Sequence, residues 1–84
     1  MKHFASPAFW EHYRQLPPEI RDIADKNFEL LKEAPNHPSL HFKKVRRYWS
    51  VRVGRKYRAL AVEVPGGILW FWIGPHKEYE KLIK

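Results

Sequence analysis

Residues 48–73 constrain the fold more tightly than any other part of this 84-residue chain, because they read as three strand-forming runs separated by two short turns. Between Tyr48 and Val53 the side chains alternate, with Trp49, Val51 and Val53 on one face and Tyr48, Ser50 and Arg52 on the other. Gly54-Arg55-Lys56 reads as a three-residue hairpin loop, and residues 57–64 as the return strand. Pro65-Gly66-Gly67 is a second turn. The apolar run from Ile68 to Ile73 contains three aromatics and predicts a strand covered on both faces. Consecutive strands joined by turns this short pair antiparallel. Just before them, residues 40–46 are more basic and predict an edge strand.

The first half has a helical period instead. His3 and Phe4 are placed in a short first strand. Ser6-Pro7 has the form of an N-cap followed by proline at the first helical position. Phe9, Trp10, Tyr13 and Leu16 then recur on one helical face. Pro17-Pro18 closes that helix and opens another, whose buried stripe is Ile20, Ile23, Ala24, Phe28 and Leu31. Pro35-Asn36-His37-Pro38 stops it, and residues 77–84 predict a short terminal helix. The expected fold is α+β: an N-terminal helical hairpin on a mainly antiparallel sheet of four to five strands, all helices on one side, with a short C-terminal helix. Residues 1–84 are expected to form one domain, since so short a chain buries only about 60–65% of its unfolded surface.

Composition narrows the function. There are no cysteines, which excludes disulfides and thiolate metal sites. No stretch approaches the about 20 apolar residues of a membrane span, and the N-terminal residues carry no apolar signal core, so a cytoplasmic protein is expected. Residues 1–40 hold five basic and six acidic side chains, net −1; residues 41–84 hold eleven basic and three acidic, net +8. Such asymmetry points to a polyanionic partner, nucleic acid first.

The hairpin register sharpens this. A three-residue loop at 54–56 sets Val53 opposite Tyr57, Arg52 opposite Arg58, Val51 opposite Ala59 and Trp49 opposite Ala61. Two arginines then face each other with Cβ atoms about 4.5–5.5 Å apart, an unfavourable pairing unless an anion lies between them. Phosphate suits two guanidinium forks; the alternative is that they splay into solvent. A three-residue second turn would set Val64 opposite Ile68 and Arg58 opposite Gly74, with His76 two residues further on. An imidazole there can donate or accept a proton in phosphodiester cleavage. Tyr79, one helical turn on, is a candidate for base stacking or for holding a phosphate oxygen. Lys43, Lys44, Arg46 and Arg47 on the edge strand, and Arg55 and Lys56 at the hairpin tip, read as contacts to a nucleic-acid backbone or as edge protection.

Other constellations fail. His37 and His41 are four apart, but Pro38 keeps them off a helix and no third ligand is evident, so no metal is expected. Ser6, Ser39 and Ser50 lack a surrounding Asp–His arrangement, and no phosphate-cradling Gly-rich loop is present. The four tryptophans are core candidates, with only Trp72 near enough to a strand end to reach a base.

Taken together, His37-Pro-Ser-Leu-His-Phe-Lys-Lys-Val45, Tyr48-Trp-Ser-Val-Arg-Val53, Tyr57-Arg58-Ala59-Leu60 and Ile73-Gly-Pro-His-Lys-Glu-Tyr79 resemble the RelE/ParE toxin superfamily, most closely small RelE-like toxins of bacterial type II toxin–antitoxin modules. The hairpin around Leu16-Pro17-Pro18-Glu19-Ile20 fits the same pattern. The resemblance implies a metal-independent endoribonuclease, an mRNA interferase that inhibits translation by cutting mRNA on the ribosome without a cofactor, and that is neutralised by a cognate antitoxin protein. It places Arg58 at the family's strand arginine, for phosphate stabilisation, His76 where some members carry a catalytic histidine, and Tyr79 at the C-terminal aromatic. Arg52 and Lys44 are added as catalytic candidates from the register. Two alternatives stay open: a ParE-like inhibitor of DNA gyrase without nuclease chemistry, and a non-catalytic nucleic-acid-binding module.

Overall fold

The computed structural model describes residues 1–84. Strand β1 (Lys2–Ala5) leads into helix α1 (Pro7–Arg14) and helix α2 (Pro18–Glu33). A 3₁₀ turn (Pro38–Leu40) then precedes β2 (Lys43–Val45), β3 (Tyr48–Val53), β4 (Tyr57–Val64), β5 (Gly67–Pro75) and helix α3 (His76–Leu82). The five strands form one sheet in the order β1-β5-β4-β3-β2, antiparallel throughout except for the parallel pairing of β1 with β5. The expected α+β class holds. No helix is long and apolar enough to cross a membrane.

Local chemistry sets the helix starts. Ser6 caps α1, its Oγ accepting from the Phe9 N–H at 3.2 Å, with Pro7 just inside where no donor is needed. Pro17 and Pro18 break the chain between α1 and α2, and Pro18 opens the second helix. Both helices pack on the sheet face that carries Val51, Val53, Ala59, Ala61, Ile68, Trp70 and Ile73, burying Leu16, Leu31 and Leu40 with them. Full burial of each such aliphatic side chain stabilises the fold by roughly 1.5–3 kcal/mol.

Four expectations change here. The edge strand is only Lys43–Val45, because the 3₁₀ turn drives Leu40 fully into the core and His41 takes a left-handed backbone (φ 46°) before pairing can begin. Helix α3 packs on the opposite sheet face from α1 and α2, where Tyr79 covers Leu60 and Trp72. The helical hairpin leaves that face bare, so the last helix has somewhere to bury its apolar side. Trp10 and Phe28, read as core, are 45% and 40% exposed. Trp72, read as a possible base contact, is buried under α3.

A fifth difference lies in the register. The second turn is Pro65-Gly66 alone, so Val64 pairs with Gly67 and Ala61 with Trp70. Between Leu60 and Ala61 the pairing slips by one, leaving Phe71 without a partner; beyond that bulge Leu60 pairs with Trp72 and Arg58 with Gly74. The short turn and the bulge cancel, which is why Arg58 still meets Gly74. Glycine is required at 74: a Cβ there would lie 2.6 Å from Cζ2 of Trp72, whose indole lies along the strand.

Candidate functional site

Arg52 on β3 and Arg58 on β4 are direct cross-strand partners on the face opposite the helical hairpin. Each guanidinium spends one donor on nearby backbone: Arg52 Nε donates to the Gly54 carbonyl at 3.1 Å, and Arg58 Nη1 to the Tyr57 carbonyl at 2.7 Å. The carboxylates that meet a basic side chain do so in Lys32–Glu29, Lys44–Glu63 and the His76–Glu80 contact, so neither arginine has a carboxylate partner. Partial burial, and then the charge of Arg52, push the Arg58 guanidinium below its ordinary pKa, while Tyr79 opposes the shift. A partly buried pair of cations with free donors and no carboxylate partner has the chemistry to take an anion. Asn27 on α2 fixes the strand from the other side, its Nδ2 donating to the Arg52 carbonyl at 3.1 Å.

His76 opens α3 next to this pair. Its backbone N–H donates to the Lys56 carbonyl at 2.7 Å, tying the head of the helix to the β3–β4 hairpin. Its ring lies 5.4 Å from that of Tyr79, and Nδ1 is 3.0 Å from Oε1 of Glu80. The imidazole is half-exposed and reachable by a substrate. Arg55 and Lys56 stand exposed at the hairpin tip beside it. Five of the candidates, Arg52, Arg58, His76, Arg55 and Lys56, thus gather at one end of the sheet.

Lys44, Arg46 and Arg47 do not join them, and Tyr79, whose ring borders His76 and whose hydroxyl acts on Arg58, lies buried beneath the group. Tyr79 is 7% exposed, packed on Leu60 and Trp72, and its hydroxyl accepts from Ser50 Oγ at 3.2 Å. With its ring buried it has no free face for a base; it fastens α3 to the sheet. Lys44 pairs with Trp49 and so projects on the helical-hairpin face, where Nζ meets Glu63 at 3.0 Å. Trp49 Nε1 donates to the same Glu63 oxygen at 3.1 Å, and these hydrogen bonds hold the Glu63 carboxyl below its usual range. It is Lys43, opposite Ser50, that shares the face of the arginine pair. Arg46 and Arg47 form the β2–β3 turn at the far end of the sheet, Arg46 with a left-handed backbone (φ 58°). There they border a shallow depression with Val62 and Lys84.

Sequence reasoning missed Glu80, although its spacing of four from His76 on a helix is the signal that finds it. It also missed Ser50, the lone buried polar side chain on its face. On the opposite side it missed an apolar groove of about 410 Å³ between α1, α2 and the sheet, lined by Phe4, Trp10, Phe28, Leu31 and Trp70. No group of three or more His, Asp or Glu side chains is placed to hold a metal ion.

A family model for the ParE-like toxin domain matches residues 18–81. No curated protein matches the sequence. Among solved structures, the RelB–RelE antitoxin–toxin complex from Methanococcus jannaschii contains a similar chain (TM-score 0.72, 18% identity, 96% of this chain and 99% of that one). The isolated RelE toxin of E. coli is also similar (TM-score 0.62, 13% identity, 98% and 97% covered). So is a copper-bound mutant toxin from Helicobacter pylori (TM-score 0.60, 13% identity, 93% and 97% covered). At these identities the likeness to the three structures is one of fold.

Proposed function

The chain belongs to the ParE-like toxin domain family, and from that premise we propose that it is the toxin of a toxin–antitoxin pair and acts as a metal-independent endoribonuclease on mRNA. The observation that carries the nuclease reading is the Arg52–Arg58 pair, uncompensated by any carboxylate, with a half-exposed imidazole at the adjoining strand end. Arg58 and Arg52 hold the scissile phosphate and stabilise the charge that builds on it in the transition state. His76 takes the proton of the ribose 2′-hydroxyl; the 2′-oxygen bonds to phosphorus, the bond to the 5′-oxygen breaks, and that oxygen takes a proton from solvent. The products are a 2′,3′-cyclic phosphate and a 5′-hydroxyl. Lys43, Arg55 and Lys56 contact the RNA backbone, and Arg46 and Arg47 extend that contact to the far end of the sheet.

A cognate antitoxin is the proposed protein partner, by analogy with the RelB–RelE complex. The groove between α1, α2 and the sheet offers it an apolar surface away from the arginines. The proposed setting is the cytoplasm, with residues 1–84 acting as one toxin domain and mRNA presented on the ribosome.

Gyrase inhibition is the second reading, favoured by the ParE-like description of the matching family. Induced expression of wild type, Arg58→Ala and His76→Ala in bacteria, with growth followed and mRNA 5′ ends mapped, separates the two. Arrest with new mRNA ends, lost in both variants, supports the nuclease. Arrest without new ends, unchanged in His76→Ala and accompanied by blocked supercoiling, supports gyrase.

A further inference from the structure

We propose that Glu80 is a positioning residue: it holds the His76 imidazole in the tautomer protonated at Nδ1 and so leaves Nε2 as the atom that accepts the substrate proton. This rests on the nuclease reading and adds a residue that reading does not contain.

The placement follows from the helix. His76 and Glu80 are four apart on α3 and share one face, with Nδ1 and Oε1 3.0 Å apart. A carboxylate only accepts hydrogen bonds, so the ring nitrogen it meets carries the proton and the lone pair of the neutral ring falls on the other nitrogen. The residue is held at two further points: its backbone N–H is bonded to the Lys56 carbonyl, two residues before Arg58, and its ring lies 5.4 Å from that of Tyr79 at a tilt of 38°. Tyr79 is itself fixed by burial and by Ser50. Glu80 makes no other ion pair that would draw it away. Both side chains are half-exposed, so the pair adds little to stability; its consequence is orientation. When Nε2 takes the 2′ proton the ring becomes an imidazolium, and Glu80 faces the positive charge that has formed.

The test has one readout that does not depend on cleavage. In the intact chain, ¹⁵N chemical shifts of the His76 ring, assigned by the signal lost in His76→Ala, report the tautomer at a pH where the ring is neutral. Wild type is expected to show the Nδ1–H form, and Glu80→Ala a shift toward Nε2–H. Alanine keeps the helix, and its melting temperature is measured alongside. Single-turnover cleavage of mRNA on purified ribosomes is the second readout. Glu80→Ala is expected to slow the cleavage step about 10- to 100-fold, by analogy with loss of the outer-shell partner of a metal-bound histidine, with RNA affinity unchanged. The Glu80→Ala/His76→Ala double variant should be no slower than His76→Ala alone. An Nε2–H ring in wild type, or additive losses in the double variant, overturns the proposal. An Nδ1–H ring in a wild type that cleaves no RNA overturns the nuclease reading and the catalytic consequence with it, while the hydrogen bond itself stands.

Discussion

Arg52 and Arg58 face each other across β3 and β4, and no carboxylate neutralises either of them. Like charges directly opposite on adjacent strands destabilise a sheet, so this pair is a local cost of the free protein that a bound phosphate would remove. Replacing Arg52 with threonine, a good strand former, should therefore raise stability by about 0.2–1 kcal/mol. For a domain of this size that corresponds to a melting-temperature increase of about 1–8 °C. The gain should shrink in high salt, where repulsion is screened, and inorganic phosphate should stabilise wild type more than the variant. Melting curves at two salt concentrations, with and without phosphate, check this; a variant less stable than wild type at low salt would contradict it.

Gly74 sits opposite Arg58 and beneath the indole of Trp72. A methyl group there would stand 2.6 Å from Cζ2, so Gly74→Ala must displace the indole and with it the floor of the second core cluster. The expected loss is about 1–3 kcal/mol, the range for overpacking a tight interior. Urea denaturation measures the loss, and tryptophan near-UV dichroism should change with it. An unchanged midpoint would mean that the ring swings aside freely.

Tyr79 separates a structural role from a chemical one. Tyr79→Phe keeps the ring on Leu60 and Trp72 and leaves only the Ser50 hydroxyl unpaired, at about 1–3 kcal/mol. Tyr79→Ala empties the cluster and should cost about 3–5 kcal/mol. RNA cleavage by the phenylalanine variant, measured where both proteins are folded, should stay within threefold of wild type. A hundredfold fall in that folded variant would restore the hydroxyl to the chemistry.

The difference between what was legible in the sequence and what was not has a physical cause at each place. Alternation and loop length determine a hairpin register, so the pairing of Arg52 with Arg58 could be read directly. A bulge has no such signature: Phe71 belongs to an unbroken apolar run, and nothing in its neighbours marks it as the unpaired residue. Lys43 and Lys44 illustrate the cost of a short strand. With only three residues in β2, a basic run does not say which lysine shares the arginine face. Trp10 and Phe28 obey the helical period but border a groove, because the short α1 together with α2 does not fill the space above a five-stranded sheet. Tyr79, read as a candidate for base stacking or for holding a phosphate oxygen, is buried. Which sheet face the last helix covers depends on packing between segments far apart in the chain.

Two groups give the stability opposite ends of one pH dependence. Burial, the N-terminal charge and Lys32 together lower the His3 pKa below 6.5, and the ring accepts a hydrogen bond from Trp70 Nε1 at 3.1 Å through Nδ1. The unfolded chain therefore binds the proton more readily. The stabilisation is fully present above the unfolded value near 6.5 and is lost as pH falls below it toward the lower folded value. Glu63 is held below its ordinary 4.5 by Lys44 and Trp49, so its contribution is present above 4.5 and disappears as pH falls through the folded value. Unfolding free energy measured between pH 8 and pH 3 should fall in two stages. His3→Gln should flatten the upper stage and Glu63→Gln the lower; a single stage insensitive to His3→Gln would refute the assignment.

Lys43 and Lys44 are adjacent in sequence and on opposite faces of the sheet, which makes them a matched pair for testing where the proposed RNA surface lies. Lys43 stands opposite Ser50 on the arginine face, whereas Lys44 is neutralised by Glu63 on the other. Each phosphate contact made by a cation contributes about 0.7 to the slope of log affinity against log salt for single-stranded RNA. Lys43→Ala should therefore lower the slope by about that amount and weaken binding at low salt. Lys44→Ala should leave the slope unchanged and lose only an exposed ion pair, with little effect on stability. Binding of a labelled single-stranded RNA at four salt concentrations reads both. Equal effects from the two lysines would mean that the RNA follows the edge of β2 and not the face of the arginine pair.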